Sequence, residues 1–198
     1  TSRNALVVLK TRAVCLIKGD SVLGFSSEPV EGEVGCEAPA TVKEIPGLGV
    51  IFLSSTGIYL LEGSLENTGT VTRTVDLSIQ LRREIERLNT SSLLTAHAVV
   101  HLAEREYWLA VPTLGNTYPN ELWIYNYAVG TWTLSTGWPS RCMAASKDSR
   151  SLLFLGSHDT ALRRGLYFYS RSSTDQGDAT HPVAPSYQTA WMDLGGLY

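Results

Sequence analysis

Period-two alternation of apolar and polar positions dominates this chain, and it predicts strands. The clearest stretch is 121–136, ELWIYNYAVGTWTLST, in which two runs rich in aromatic and β-branched residues flank Ala128-Val129-Gly130. Alternation of that kind around a glycine-containing connection is a hairpin signature. EYWLAV at 106–111 adds a strand before it and makes a meander. The same reading places strands at 5–9 (ALVVL), 13–17 (AVCLI), 22–29, 41–45, 50–53 (VIFL), 58–61 (IYLL), 70–75, 94–102, 141–145, 152–155 (LLFL), 165–169 (GLYFY) and 187–194. Loops fall where glycine, proline, asparagine and acidic residues collect, at 31–39, 63–69 and 112–120.

One stretch changes period. Over 77–88 the apolar residues Leu77, Leu81, Ile85 and Leu88 recur at helical spacing, with Arg82, Arg83, Glu84, Glu86 and Arg87 on other faces. Asp76 is positioned to cap the start of this helix and Asn89 to stop it.

The strands also repeat. An apolar strand, a turn and a second strand carrying tyrosine recur as VIFL/GIYLLEGS, YWLA/LWIYNYAVG and LLFL/GLYFYSRS, with LVVL/RAVCLIKG as a divergent copy. The first strands begin at Ala5, Val50, Glu106 and Ser151, roughly 45 to 55 residues apart, which suits four-stranded propeller blades. The expected fold is all-β, a propeller-like array of about four antiparallel blades with one inserted helix at 77–88. A β-sandwich is the competing architecture, since regularly spaced short strands suit both. The whole chain, 1–198, reads as a single propeller segment. Because so few units fall short of most closed rings, a fragment of a longer chain is expected. The polar stretch 171–186 is expected to be a mobile loop.

Composition narrows the function classes. The net charge of −3 gives no global basic field for nucleic acid. Three scattered cysteines (Cys15, Cys36 and Cys142) form neither a disulfide framework nor a CxxC zinc pair, and the odd count favours a reducing compartment. No apolar run is long enough for a membrane span, and the first residues lack a signal-peptide pattern.

Candidate chemistry is sparse. His97 and His101 have a spacing that would share a metal on a helix. On a strand they lie roughly 13 Å apart along one face, too far to do so. Ser157, His158 and Asp159 are consecutive, and a catalytic triad needs side chains that converge from different places. Gly47-Leu48-Gly49 and Gly195-Gly196 lack the Lys-Ser/Thr and helix of a phosphate loop. Asp20, Glu28, Glu31, Glu33 and Glu37 form a loose acidic region, better read as solvated loop than as a glycosidase pair. Tyr107, Trp108, Trp123, Tyr125, Tyr127, Trp132 and Trp138 are candidates for a sugar platform, but strand alternation favours packing between sheets. The positive charge of Arg73, Arg82, Arg83 and Arg87 reads first as an ion-paired surface and second as a face for an acidic partner or DNA. No catalytic, cofactor or metal residue is expected.

The order of these motifs resembles the β-propeller region of tailed-bacteriophage tail proteins of the nozzle or tubular type. ALVVLKTRAVCLIKGD, EVGCEAPATV and GLGVIFLSSTGIYLLEGS resemble its apolar strand, small-residue turn and Gly-Ile-Tyr strand. VDLSIQLRREIERLN looks like the helix inserted after a blade, and ELWIYNYAVGTWTLSTGW like the tyrosine strand followed by a tryptophan strand. TAWMDLGG resembles the strand leading out of the propeller, so the likeness runs from Ala5 to Gly196. Cys15 departs from it, standing where an aromatic or aliphatic residue is expected. The resemblance implies a non-enzymatic structural protein of the virion tail, assembled in the host cytoplasm. It would form part of a ring around the DNA exit channel, with copies of itself and other tail proteins as partners and DNA passing nearby. Neither a membrane nor a small-molecule substrate is implied. The alternative is a carbohydrate-binding or receptor-binding propeller module.

Overall fold

The computed structural model describes residues 5–19, 24–30, 34–62, 73–136 and 139–146, and the strands Leu153–Ser157 and Gly165–Tyr169. The described residues are all-β with little helix, folded into four antiparallel sheets whose strands follow sequence order. The first contains β1 (Ala5–Leu9), β2 (Val14–Lys18) and β3 (Ser26–Pro29). The second contains β4 (Lys43–Ile45), β5 (Gly49–Ser54), β6 (Gly57–Glu62) and β7 (Arg73–Asp76). The third contains β8 (His97–His101), β9 (Glu106–Val111), β10 (Glu121–Asn126) and β11 (Thr131–Thr136). The fourth contains β12 (Ser140–Ala145), β13 (Leu153–Ser157) and β14 (Gly165–Tyr169). Each sheet is a meander, the topology that short turns between antiparallel strands allow.

Successive sheets pack face to face, and alternation along each strand decides which residues go to which side. On β5, Val50 and Phe52 join Val14 and Cys36 in a core against the first sheet, while Ile51 and Leu53 turn the other way. That other side is the main core, where Ile45, Ile58 and Leu60 meet Tyr107, Leu109, Val111 and Trp123 of the third sheet. On β9 the alternate residues Trp108 and Ala110 leave this core and pack with Leu122, Met143 and Ala145 against the fourth sheet. Every residue of β5 and β9 is therefore buried. Strand β8 lies beside both β4 and β12, so the first strands of the second, third and fourth sheets are neighbours.

The 121–136 hairpin forms as expected, with Trp123 opposite Leu134 and Tyr125 opposite Trp132. The helix at 77–88 does not. Its place is taken by a 3-10 turn, Ile79–Leu81, and one α-helical turn, α1 (Arg82–Ile85). Both ends of the span are held by sheets. Leu77 N–H donates to the Ile58 carbonyl as a continuation of the β6–β7 ladder, and Leu88 forms a bridge with Thr113. Only the residues between are left to coil, so tertiary hydrogen bonds override the helical periodicity.

Two strand boundaries also shift. The expected strand at 41–45 starts with a 3-10 turn, Pro39–Thr41, and the strand at 94–102 is preceded by another, Thr90–Thr95. The mobile loop expected at 171–186 and the strand expected at 187–194 lie outside the described residues.

Candidate functional site

The arginine-bearing turn is built from the end of β7. Asp76 does not cap a helix. Its Oδ1 accepts the Ser78 N–H at 2.7 Å and the Ser78 hydroxyl at 2.6 Å, closing a local side-chain turn. The buried Ser78 Oγ in turn accepts the Ile58 N–H at 3.1 Å. These bonds redirect the chain from the second sheet across the main core, where Leu81 and Leu88 are buried. Trp132 of β11 fastens the start of the crossing by donating its indole N–H to the Leu77 carbonyl at 2.8 Å. Asn89 N–H to the Pro112 carbonyl and Leu114 N–H to the Arg87 carbonyl fasten its end.

The four arginines fall into two kinds. Arg87 reaches Glu121 at the start of β10, with Nη2 to Oε1 at 2.6 Å. The other oxygen of that buried carboxylate accepts the Trp123 indole N–H at 3.1 Å. Arg73 pairs with Glu62 across the β6–β7 ladder at 2.8 Å, both side chains being well exposed. Arg82 and Arg83 are exposed, lie side by side on α1, and have no ion pair among the described residues. So Arg87 is committed to the fold, Arg73 has a surface partner, and Arg82 and Arg83 have no ion-pair partner among the described residues.

The other candidates fare differently. His97 and His101 do share a face of β8, opposite Ala110 and Glu106. His97 Nδ1 lies 3.2 Å from the Thr95 carbonyl, and Nε2 lies 3.2 Å from Ser140 Oγ on β12. Ser140 Oγ also donates to the Cys142 carbonyl at 3.3 Å, so these contacts make His97 a link between the third and fourth sheets. Burial lowers its pKa, the Thr95 carbonyl opposes that shift, and the charge of Lys43 adds to it. Among the described residues no group of three or more His, Cys, Asp or Glu could hold a metal. No helix among them is long and apolar enough to cross a membrane.

Of the consecutive Ser157, His158 and Asp159, Ser157 ends β13, while His158 and Asp159 lie outside the described residues. Asp20, Glu31 and Glu33 also lie outside them, as do Gly195-Gly196 and Trp138. Glu28 pairs with Lys18 at 2.8 Å, and Glu37 accepts the Ser55 hydroxyl at 2.6 Å, so these two carboxylates serve different local contacts. Gly47-Leu48-Gly49 is the β4–β5 turn. Tyr107, Trp108 and Trp123 are buried, and Tyr107 donates its hydroxyl to the Thr41 carbonyl at 2.8 Å. Tyr125 is also core, while Tyr127 and Trp132 are half-buried. Burial pushes the Tyr107 phenol far above its ordinary pKa, and it raises those of Tyr125 and Tyr127 as well. Tyr107, Trp108, Trp123 and Tyr125 are therefore spent on packing rather than presented to a sugar. Cys15, Cys36 and Cys142 are all free thiols, and burial raises the Cys36 pKa, which keeps it protonated.

One arrangement went unread in the sequence. Glu106-Tyr107-Trp108 and Glu121-Leu122-Trp123 are the same motif, a glutamate beginning a strand and a tryptophan two residues on. Period two puts both members on one face, and in each case the indole N–H donates to the buried carboxylate, at 3.0 Å and 3.1 Å. The Glu106 unit faces the fourth sheet and the Glu121 unit the main core. The repeated Glu-x-Trp spacing was the available signal. No protein-family model and no curated protein matches this chain.

Proposed function

We propose that this chain is a propeller-like segment of a bacteriophage tail protein, a structural part of a ring around the DNA exit channel. The observation that carries the architecture is that the middle sheets have apolar cores on both faces while their first strands lie side by side. A two-sheet sandwich covers one face of each sheet; blades stacked around an axis cover both. Support for the tail assignment comes from the order of motifs between Ala5 and Gly196. The burial of Tyr107, Trp108, Trp123 and Tyr125 weighs against the glycan-binding alternative.

In this reading the segment acts through contacts with copies of itself and with other tail proteins. Arg82 and Arg83 are the residues for an acidic partner or passing DNA. Proteomic analysis of gradient-purified virions tests the assignment. The chain is expected in the particle at a fixed multiple of the tail-component stoichiometry. Its recovery only as a soluble monomer absent from particles overturns the reading. Charge reversal at Arg82 and Arg83 is expected to reduce genome delivery by assembled particles without reducing the yield of folded protein.

A further inference from the structure

The junction between β8 and β12 turns on a polar contact. Of the six residues of β12, Ser140 alone is buried. Its Oγ lies 3.2 Å from His97 Nε2 on β8 and 3.3 Å from the Cys142 carbonyl of its own strand. His97 Nδ1 lies 3.2 Å from the Thr95 carbonyl. The apolar members of β12 here, Met143 and Ala145, are only partly buried against Trp108, Ala110 and Leu122.

The supply of hydrogens fixes what a proton does at this contact. A carbonyl only accepts, so the bond to Thr95 requires a hydrogen on Nδ1 in either charge state. In the neutral ring Nε2 is then an acceptor and competes with the Cys142 carbonyl for the one hydroxyl hydrogen of Ser140. In the charged ring Nε2 donates to Ser140 Oγ and leaves that hydrogen to Cys142. Hydrogen bonds are kept in both states, so charge decides between them. Among the described residues, Lys43 on β4 is half-buried and its charge reaches the ring, while the exposed Glu44 alternates to the other face. On β12, Cys142 is exposed and the Arg141 guanidinium lies over the Tyr118 ring, 3.2 Å from its centroid. On β9, Glu106 stands opposite His101, at the far end of β8 from His97. The turns Pro39–Thr41 and Thr90–Thr95 carry no titratable side chain. An imidazolium at His97 therefore meets burial and a lysine, with no carboxylate at its end of β8.

We propose that His97 is a pH-responsive latch between the third and fourth sheets: neutral, it holds β12 against β8, and protonated, it lets that junction open while the rest of the chain stays folded. Burial lowers the pKa of His97 in the closed junction, and the Lys43 charge adds to this against the opposing Thr95 bond. Opening returns the ring towards its ordinary value of 6.5. Opening is therefore independent of pH above that value. It grows as pH falls below it, by at most about tenfold per pH unit for one proton, and levels off below the closed value. The inference stands independently of the tail assignment.

The test follows exchange of the Trp108 and Trp123 indole hydrogens in the full chain by NMR. Both indoles are buried and both donate to a glutamate, but Trp108 faces the fourth sheet and Trp123 the main core. After correction for intrinsic exchange, Trp108 protection is expected to fall about fivefold or more between about pH 7.5 and pH 5. At about pH 5 Trp108 is expected to exchange faster than Trp123, through an opening that dilute urea barely promotes, whereas Trp123 exchanges through one that urea promotes steeply. His97→Gln is expected to remove the acid loss at Trp108. That variant leaves His101 in place, so it separates the two histidines. Lys43→Gln raises the His97 pKa and is expected to shrink the loss, which keeps the test intact if His97→Gln does not fold. Imidazole nitrogen shifts at about pH 8 are expected to place the hydrogen on Nδ1. A hydrogen on Nε2, an acid loss unchanged in either variant, or equal protection of the two indoles at about pH 5 overturns the proposal.

Discussion

Replacing Arg87 with methionine isolates the contact that ties the arginine-bearing turn to the third sheet. The Arg87–Glu121 pair is short, 2.6 Å, and unequal: the glutamate side chain is 4% exposed and the arginine 50%. Breaking a fully buried pair costs about 3–5 kcal/mol, because one charge is left without a partner. Solvent around the arginine screens part of that interaction. Glu121 also keeps the Trp123 indole N–H as a donor. The expected loss is therefore about 2–3 kcal/mol. For a chain of this size that corresponds to a Tm lower by roughly 5–10 °C. Glu121→Gln keeps an acceptor for the indole and removes the charge, so its expected cost is smaller, about 1–2 kcal/mol. Urea titration followed by tryptophan fluorescence, on both single variants and the double variant, gives the coupling energy. A value near 1.5 kcal/mol is expected. A coupling indistinguishable from zero, or an Arg87→Met variant that melts with the wild type, would refute the reasoning and make the pair a passive surface contact.

Tyr107→Phe removes a buried hydroxyl from the Thr41 carbonyl at negligible loss of volume. It is expected to cost about 1–2 kcal/mol in the same titration, and an unchanged midpoint would show that the bond adds nothing. Gly35→Ala places a Cβ 2.1 Å from the Lys10 carbonyl oxygen, a main-chain atom that cannot swing away. A loss of about 2–4 kcal/mol is expected, and normal stability would mean the 34–38 loop does not sit on the β1–β2 turn. The lowered pKa of His97 makes the protonated ring less welcome in the folded state than in the unfolded one. Its contribution is complete above the ordinary value of 6.5 and is lost as pH falls through the lower folded value. Wild-type stability between about pH 7.5 and pH 5 is therefore expected to decline more than that of His97→Gln, and parallel curves would contradict the assignment.

The strand pattern was legible because alternation is local. The hairpin at 121–136 pairs as the sequence suggests, and the repeated strand–turn–strand units became successive sheets. The turn at 77–88 was misread because its helical spacing is real but subordinate: Leu77 N–H bonds the Ile58 carbonyl, and Arg87 and Asn89 on either side of Leu88 bond Leu114 and Pro112, which no local pattern encodes. The 3-10 turn Thr90–Thr95 was hidden for a similar reason, since Leu93 and Leu94 look like strand residues while only Leu93 enters the core. The division among the arginines was equally out of reach. Arg87 and Glu121 stand 34 positions apart, and only the fold brings them together. The Glu-x-Trp pairs, by contrast, were available to a reader who applied period two to Glu106 and Glu121.

A cryo-electron-microscopy reconstruction of the tail end of purified phage particles tests the proposed tail assignment most directly. The account predicts sheets arranged around a channel, with β4, β8 and β12 nearest its axis. Density showing two sheets stacked as a sandwich, or a tail in which the chain has no place, would contradict it.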